Sequence, residues 1–335
     1  MILLAADIGG TNSRLQLVDK NETAQQVVYE EDYASAEYAS FYDVLQQFRT
    51  ESGNNRPIDA ACIAVAGPVK ALAGQLQASV TNLPWRITEK ELLNTLQTSA
   101  VKLINDFSAV CYGLTELIPS DIEILQAGIS ATSQQPSAVV IGAGTGLGVA
   151  HKIYIHDEYH VLPTESGHAG FTPESALQTQ LLTCLQSQQS HVSLESVLSG
   201  RGFQLLYDFL KQTLDIDESA AIKARFAQTD PAQVITSAGL DKTDLLCEQA
   251  LNLFVDIYGA AAGNLALNHY PVDEVYIAGG IAPKIRSALH SERFLAAFNN
   301  KGLMKANLQA LPIKLVTQDR VGLLGALAVA RQLLC

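Results

Sequence analysis

Ile2 to Ala6 is an unbroken apolar run, and the turn-like Asp7-Ile8-Gly9-Gly10-Thr11-Asn12 follows it. Next, Ser13-Arg14-Leu15-Gln16-Leu17-Val18 alternates polar and apolar. Alternation with a period of two marks a half-buried strand, so the segment predicts strand, tight turn, strand. The pattern returns at Ala138-Val139-Val140-Ile141, Gly142-Ala143-Gly144-Thr145-Gly146-Leu147-Gly148 and Val149 to Ile155, with a further β-rich piece at Tyr159 to Leu162. Ala24 to Tyr29 extends the first meander, and the continuous apolar run Ala60 to Ala66 predicts a buried parallel strand. Val101–Ile104, Glu274–Ala278 and Ile313–Val316 read as further strands. Helices are predicted around Ser40–Thr50, Thr88–Leu96, Ser108–Leu117, Glu174–Gln188, Leu194–Lys211, Ser219–Phe226, Ala232–Ala238, Lys242–Leu267 and Gly322–Leu334. Thr88 with Glu91 three residues on is a capping box. Strands mixed with helices give an α/β class, and the repeated strand–Gly–Thr–strand unit suggests a duplicated α/β unit.

A chain of 335 residues suggests two domains. Apolar content of 48% with 17% charged residues is that of a soluble globular protein. The net charge of −12 argues against nucleic-acid partners and anionic membrane surfaces. Cys62, Cys111, Cys184, Cys247 and Cys335 show neither a C-x-x-C nor a zinc spacing, which suggests reduced thiols in a cytoplasmic protein. The N-terminus lacks a basic n-region, and no apolar stretch reaches the ~20 residues of a membrane span, so neither a signal peptide nor a membrane is expected.

Glycine turns let a phosphate approach peptide N–H groups, and Thr11 and Thr145 can each add a hydroxyl. The plainer reading of either turn is an ordinary β-hairpin. The pair suggests two phosphate-gripping hairpins facing one cleft. No G-x-x-x-x-G-K-[ST] occurs, and the second turn does not give G-x-G-x-x-G, which disfavours P-loop and Rossmann sites. Asp106 ends a predicted strand beside Asn105 and is either a base for a hydroxyl proton or a helix N-cap. Glu165 and His168 sit in a loop and offer donor and acceptor to vicinal hydroxyls, or are plain surface residues. Glu195 reads first as a helix-start glutamate behind a Ser193 cap. Gly279-Gly280 allows close approach of a flat ring or a phosphate, or is a plain strand–helix turn. The remaining histidines read as structural. Trp85 lies in the loop Thr81–Trp85, expected to flank the cleft.

At these residues the chain resembles the bacterial glucokinases of the hexokinase/actin-like ATPase superfamily. The motifs run in that family's order over nearly the whole chain. They are Asp7 to Asn12, Ile104-Asn105-Asp106-Phe107, Gly142 to Gly148, Glu165-x-Gly167-His168, Val197-Leu198-Ser199-Gly200 behind Glu195, and Ile277-Ala278-Gly279-Gly280-Ile281. The resemblance implies a two-lobed fold with duplicated βββαβα units around a deep cleft. Residues 1–107 with about 320–335 would form the smaller domain and 108–319 the larger. It implies ATP-dependent phosphorylation of glucose at its 6-hydroxyl, with Asp106 as general base. Asn105, Asp106, Glu165, His168 and Glu195 would bind the sugar. Ala6, Asp7, Ile8, Gly9, Gly10, Thr11, Gly144, Thr145, Gly146, Gly279 and Gly280 would bind ATP. Asp7 would help place Mg²⁺ through water, and a homodimer is expected. A kinase for mannose or an N-acetylhexosamine, a non-catalytic sugar sensor, and a protein-directed actin-like ATPase are the alternatives. Thr164, Ser166 and Gly170 depart from the family's sugar loop, and the zinc-type cysteine cluster of the related repressor/kinase group is absent.

Overall fold

The computed structural model describes residues 1–21, 25–72, 74–129, 134–214 and 216–334. The expected strand start at Ala24 and the thiol of Cys335 lie outside the described residues. Met1–Ile118 with Gln318–Cys335 forms one compact unit, and Pro119–Thr317 forms another.

The first unit runs β1 (Ile2–Ile8), β2 (Asn12–Lys20), β3 (Gln25–Ala34), α1 (Phe41–Ser52) and β4 (Ala60–Val65). It continues through β5 (Val69–Leu72), β6 (Gln75–Ser79), β7 (Arg86–Thr88), α2 (Glu89–Leu96), β8 (Val101–Asn105) and α3 (Asp106–Gly113), and it takes in the C-terminal helix Val321–Gln332. The main sheet has the order β3-β2-β1-β4-β8. β1 and β2 are antiparallel, while β1–β4 and β4–β8 are parallel. Both faces of β1 are buried because its side chains alternate between two cores. Ile2, Leu4, Ala6 and Ile8 meet Phe41, Val44, Leu45 and Phe48 of α1. Leu3 and Ala5 share a core with Leu323, Ala326 and Ala330 of the C-terminal helix. α1 is bounded by chemistry readable in the sequence: the Ser40 side chain accepts from the Asp43 N–H, and Gly53 closes it at φ 59°. The capping box of α2 also forms, with Thr88 Oγ1 accepting from the Glu91 N–H at 3.2 Å.

α3 was expected to open the second domain, yet it belongs to the first. It packs on the C-terminal helix so closely that a Cβ at Gly325 would lie 1.7 Å from the Ala109 carbonyl oxygen. Trp85, at the end of its loop, is a core residue of the first unit. It is 3% exposed, and its Nε1 donates to the Tyr38 carbonyl at 3.2 Å.

The second unit contains β9 (Ile122–Gln126), β10 (Ala138–Ala143), β11 (Leu147–Ile155), β12 (Glu158–Thr164), β13 (Glu274–Ala278) and β14 (Ile313–Val316), in the order β12-β11-β10-β13-β14-β9. β10–β11 and β11–β12 are antiparallel, and β10–β13 and β13–β14 are parallel. Without β9, this is the plan of the first sheet. The helices are α4 (Ala176–Gln186), α5 (Leu194–Val197), α6 (Gly200–Thr213), α7 (Ala220–Phe226), α8 (Pro231–Leu240), α9 (Leu245–Asn268), α10 (Arg286–Leu289), α11 (Glu292–Asn299) and α12 (Lys305–Gln309). α9 is long and apolar enough to cross a membrane by composition, but most of it is buried in this unit's core.

One predicted helix, Leu194–Lys211, is two helices. Ser199 caps α6 by accepting from the Gly202 N–H, and the Gly200 N–H turns away to the Gly144 carbonyl at 2.8 Å. The sheet β5-β6-β7, strand β9 and helices α10 to α12 lie in stretches whose sequence pattern had suggested no element.

Candidate active site

Within the first unit, the turn after β1 is closed by its own backbone. The Gly9 N–H donates to the Asn12 carbonyl at 2.8 Å. Gly10 must lack a side chain, since a Cβ would lie 2.7 Å from the Thr81 carbonyl oxygen. The buried hydroxyls of Ser13 and Ser35 bridge at 2.9 Å, and Ser35 also donates to the Gly9 carbonyl at 2.8 Å. The N–H groups of Gly10 and Thr11 make no hydrogen bond among the described residues. They are the free donors of this turn, whereas Gly9 is committed to its shape.

Asp106 begins α3, but it is not the cap. Asn105 is: its Oδ1 accepts from the N–H groups of Phe107 at 2.9 Å and Ser108 at 3.2 Å. The Asn105 Nδ2 donates to the Gly67 carbonyl at 3.2 Å and to Asp106 Oδ1 at 2.9 Å. The cap is thereby supplied without the Asp106 carboxylate, which is left half-buried at the carboxyl end of a parallel strand. Burial, and then the charge of Asp7, push the Asp106 carboxyl up to about 7, against the Phe107 N–H, its own N–H and the Asn105 amide. Asp7 is pushed up to about 6, mainly by burial, with Arg14 opposing and Asp32 assisting. Two acids with raised pKa values at the carboxyl ends of β1 and β8, with β4 between them, form a proton-accepting, cation-attracting site.

Arg14 was not singled out in the sequence, although the turn length places it. It is the cross-strand partner of Asp7 in the β1–β2 register, so both side chains share one face. Its Nη1 donates to the Asp319 carbonyl at 3.0 Å, and its Nε lies 3.5 Å from Asp32. Arg320 joins the same group through Glu30 and Asp32.

In the second unit the turn between β10 and β11 is closed in the same way, by the Gly144 N–H donating to the Gly146 carbonyl at 2.8 Å. Gly279 stands at φ 82°, where a Cβ would lie 2.6 Å from the Ala143 carbonyl oxygen. The Ile281 N–H donates to that carbonyl at 3.1 Å. This fixes Gly279-Gly280 against the turn, and a Cβ at Gly280 would meet nothing within 4 Å.

Glu195 has both the expected helix-start position and a second role. Ser193 caps α5, and Glu195 Oε2 accepts the Leu147 N–H at 2.9 Å. A Cβ at Gly146 would lie 2.6 Å from that oxygen, so a side chain there would displace the Glu195 carboxylate. Gly167, in the Glu165–His168 turn, must lack a side chain, since a Cβ would lie 2.3 Å from the Leu147 carbonyl oxygen. The structure therefore brings Gly146, Leu147, Gly167 and Glu195 together. Glu165 and His168 themselves project outward, 3.9 Å apart and well exposed. The departures from the family loop have a structural use. Thr164 Oγ1 donates to the Val149 carbonyl and bonds the Ser166 hydroxyl at 2.9 Å, while Gly170 bridges to Ser193. His191 Nε2 contacts the His168 carbonyl oxygen at 2.8 Å.

Two sheets built on one plan, each with a glycine turn inside an antiparallel hairpin, define the actin-like ATPase/hexokinase fold. A sequence profile of the Glucokinase family matches residues 4–333. The chain is 40% identical to the glucokinase of Nostoc sp. strain PCC 7120 over 349 aligned positions, covering 99% of each. It is 37% identical to that of Synechocystis sp. strain PCC 6803, covering 98% of each. Among solved structures, a glucokinase from an Antarctic psychrotroph superposes with a TM-score of 0.83 at 32% identity, over 99% of each chain. A ROK family glucokinase from Streptomyces griseus, solved in complex with glucose and AMPPNP, shares the fold at a TM-score of 0.66 and 17% identity, covering 99% of this chain and 100% of that one. The chain belongs to the glucokinase family.

Proposed function

We propose that this protein transfers the terminal phosphoryl group of ATP to the 6-hydroxyl of glucose, with Asp106 as the general base. The observation that carries the assignment is the state of Asp106. Its carboxylate is released from capping by Asn105 and oriented by the Asn105 amide, and its pKa is brought to about 7. A base poised near the working pH accepts a proton most effectively. The free N–H groups of Gly10 and Thr11, with the turn Gly144-Thr145-Gly146, take phosphate oxygens, and Gly279-Gly280 admits the adenosine. Asn105, Glu165, His168 and Glu195 take sugar hydroxyls. Asn105 and Glu195 also carry structural bonds, so they position as well as bind.

Mg²⁺ fits the first unit. Among the described residues no three acidic, histidine or cysteine side chains converge on a metal position. Magnesium is usually held by one or two carboxylates together with substrate phosphates and water. Asp7 is the side chain to hold it, through water, because its buried charge lacks full compensation. The ion would neutralise phosphate charge during transfer. We place the enzyme in the cytoplasm and expect a homodimer.

The test is a panel of hexoses with ATP and Mg²⁺, reading ADP release. Glucose should give the highest kcat/KM. Preference for mannose or an N-acetylhexosamine would move the assignment within the kinases, and turnover indifferent to every sugar would remove it. Replacing Glu165 or His168 by alanine should raise the KM for glucose about 2- to 13-fold, the equivalent of the ~0.5–1.5 kcal/mol net worth of one hydrogen bond. The KM for ATP should stay close to the wild-type value.

A further inference from the structure

A second recess lies wholly within the second unit, walled by the start of α4, by α9, α11 and α12, and by Gln126 at the end of β9. Its volume is about 850 Å³, within the range of small-molecule sites. None of the residues given a role above lines it.

Its polar groups are fixed and incompletely used. Gln126 Nε2 donates to the carbonyls of Leu308 and Leu311, both at 2.8 Å. That locks the orientation of the Gln126 amide, so Oε1 faces Asn299 and accepts from its Nδ2 at 2.8 Å. The orientation of Asn299 follows, and its Oδ1 is left buried with no donor. Asn299 is 7% exposed and Gln178 is 4% exposed, and both line the recess. Gln178 Oε1 accepts the Glu174 N–H at 2.8 Å, and its Nε2 donates to nothing among the described residues. The recess thus holds one buried acceptor, Asn299 Oδ1, and one donor without a partner among the described residues, Gln178 Nε2, both oriented by their neighbours. Leaving such groups unpaired is costly, and native structures rarely do so without a ligand or water.

The charges do not favour an ion. Glu174 is paired with Lys301, and Asp256 with Arg293. Ala260, Leu295 and Ala297 supply an apolar patch among the amides. Amides with one free donor and one free acceptor, next to small apolar side chains in a field of balanced charge, match a ring bearing hydroxyls. Each hydroxyl both donates and accepts, and the ring's C–H face is apolar. We infer that this recess is a second, non-catalytic site for a neutral monosaccharide, recognised by Gln178 and Asn299.

Hydrogen–deuterium exchange on the full-length chain tests this without reading turnover, so its outcome is separate from the proposed activity. Glucose is titrated, and peptides covering α4 and α11 are followed alongside the peptide carrying Asp106. The expected result is slowed exchange in α4 and α11, in its own concentration range. Ala296→Trp fills the recess from an exposed position, and its melting temperature reports that it folds. It should abolish the α4 and α11 response while leaving kcat and the response near Asp106 intact. No glucose-dependent protection of α4 and α11, protection that survives Ala296→Trp, or equal protection by inorganic phosphate would each overturn the inference.

Discussion

Asn105 gives both ends of its side-chain amide to one purpose: its oxygen closes the first turn of α3, while its nitrogen holds Asp106 Oδ1 at 2.9 Å. The residue that starts the helix also aims the carboxylate next to it. The Gly67 carbonyl takes the other Nδ2 hydrogen at 3.2 Å, so the amide cannot flip without losing bonds at both ends.

Asp106→Asn retains the shape and removes the proton acceptor. General-base catalysis contributes ~10²–10⁴-fold, so kcat should fall by at least the lower figure. Glucose affinity, read by calorimetry, should change much less. A kcat close to wild type would remove Asp106 from the chemistry.

Asn105→Asp separates capping from aiming. Aspartate caps helices as well as asparagine, whereas alanine costs about 0.5–2 kcal/mol. The aspartate variant should therefore melt nearer to wild type than Asn105→Ala. It loses the donor to Asp106 and sets a like charge beside it, which raises the pKa of the base. The acidic limb of kcat/KM should move to higher pH.

Asp7→Asn should move that limb the other way, because the charge of Asp7 is one cause of the raised Asp106 pKa. The effect on stability has a definite sign. Both carboxyls titrate higher in the fold than in the unfolded chain, so the fold favours their neutral forms. The stability they lend is complete below the ordinary carboxylate range and is lost as pH rises through about 6 for Asp7 and about 7 for Asp106. Asp7→Asn should raise the melting temperature at about pH 8 and change it little at about pH 4. Magnesium should raise the melting temperature of the wild type more than that of the variant.

Gly146→Ala would place a methyl group 2.6 Å from Glu195 Oε2 and drive the carboxylate off the Leu147 N–H. Losing that charged hydrogen bond should cost about 1–3 kcal/mol. Because the two residues act on one bond, Gly146→Ala combined with Glu195→Ala should cost clearly less than the sum of the single changes. Additive losses in melting temperature and in glucose KM would show that they act separately.

Much of the plan was legible in the residues. Period-two alternation around Gly9-Gly10 and Gly144 to Gly146 marked both hairpins, the continuous apolar run Ala60 to Ala66 marked the parallel strand, and Ser40 and Thr88 marked helix starts. These are local signals, carried by neighbours in the chain. The motif order, from Asp7 to Gly280, gave the family. What the chain alone could not decide is which atoms each motif spends on holding the fold. The capping role fell to Asn105 instead of Asp106, because the strand-end geometry aims the asparagine oxygen at the Phe107 and Ser108 N–H groups. Gly9 and Gly144 close their turns, leaving Gly10 and Thr11 free in the first. Helix α3 stays with the first unit because Gly113 and Gly325 let two helices touch backbone to backbone, a contact between residues more than two hundred positions apart. The raised pKa values of Asp7 and Asp106 arise from burial and from charges on separate strands, Asp32 for Asp7 and Asp7 for Asp106. Packing between distant segments fixes the dielectric and the neighbouring charges, and no reading of the chain residue by residue contains that information.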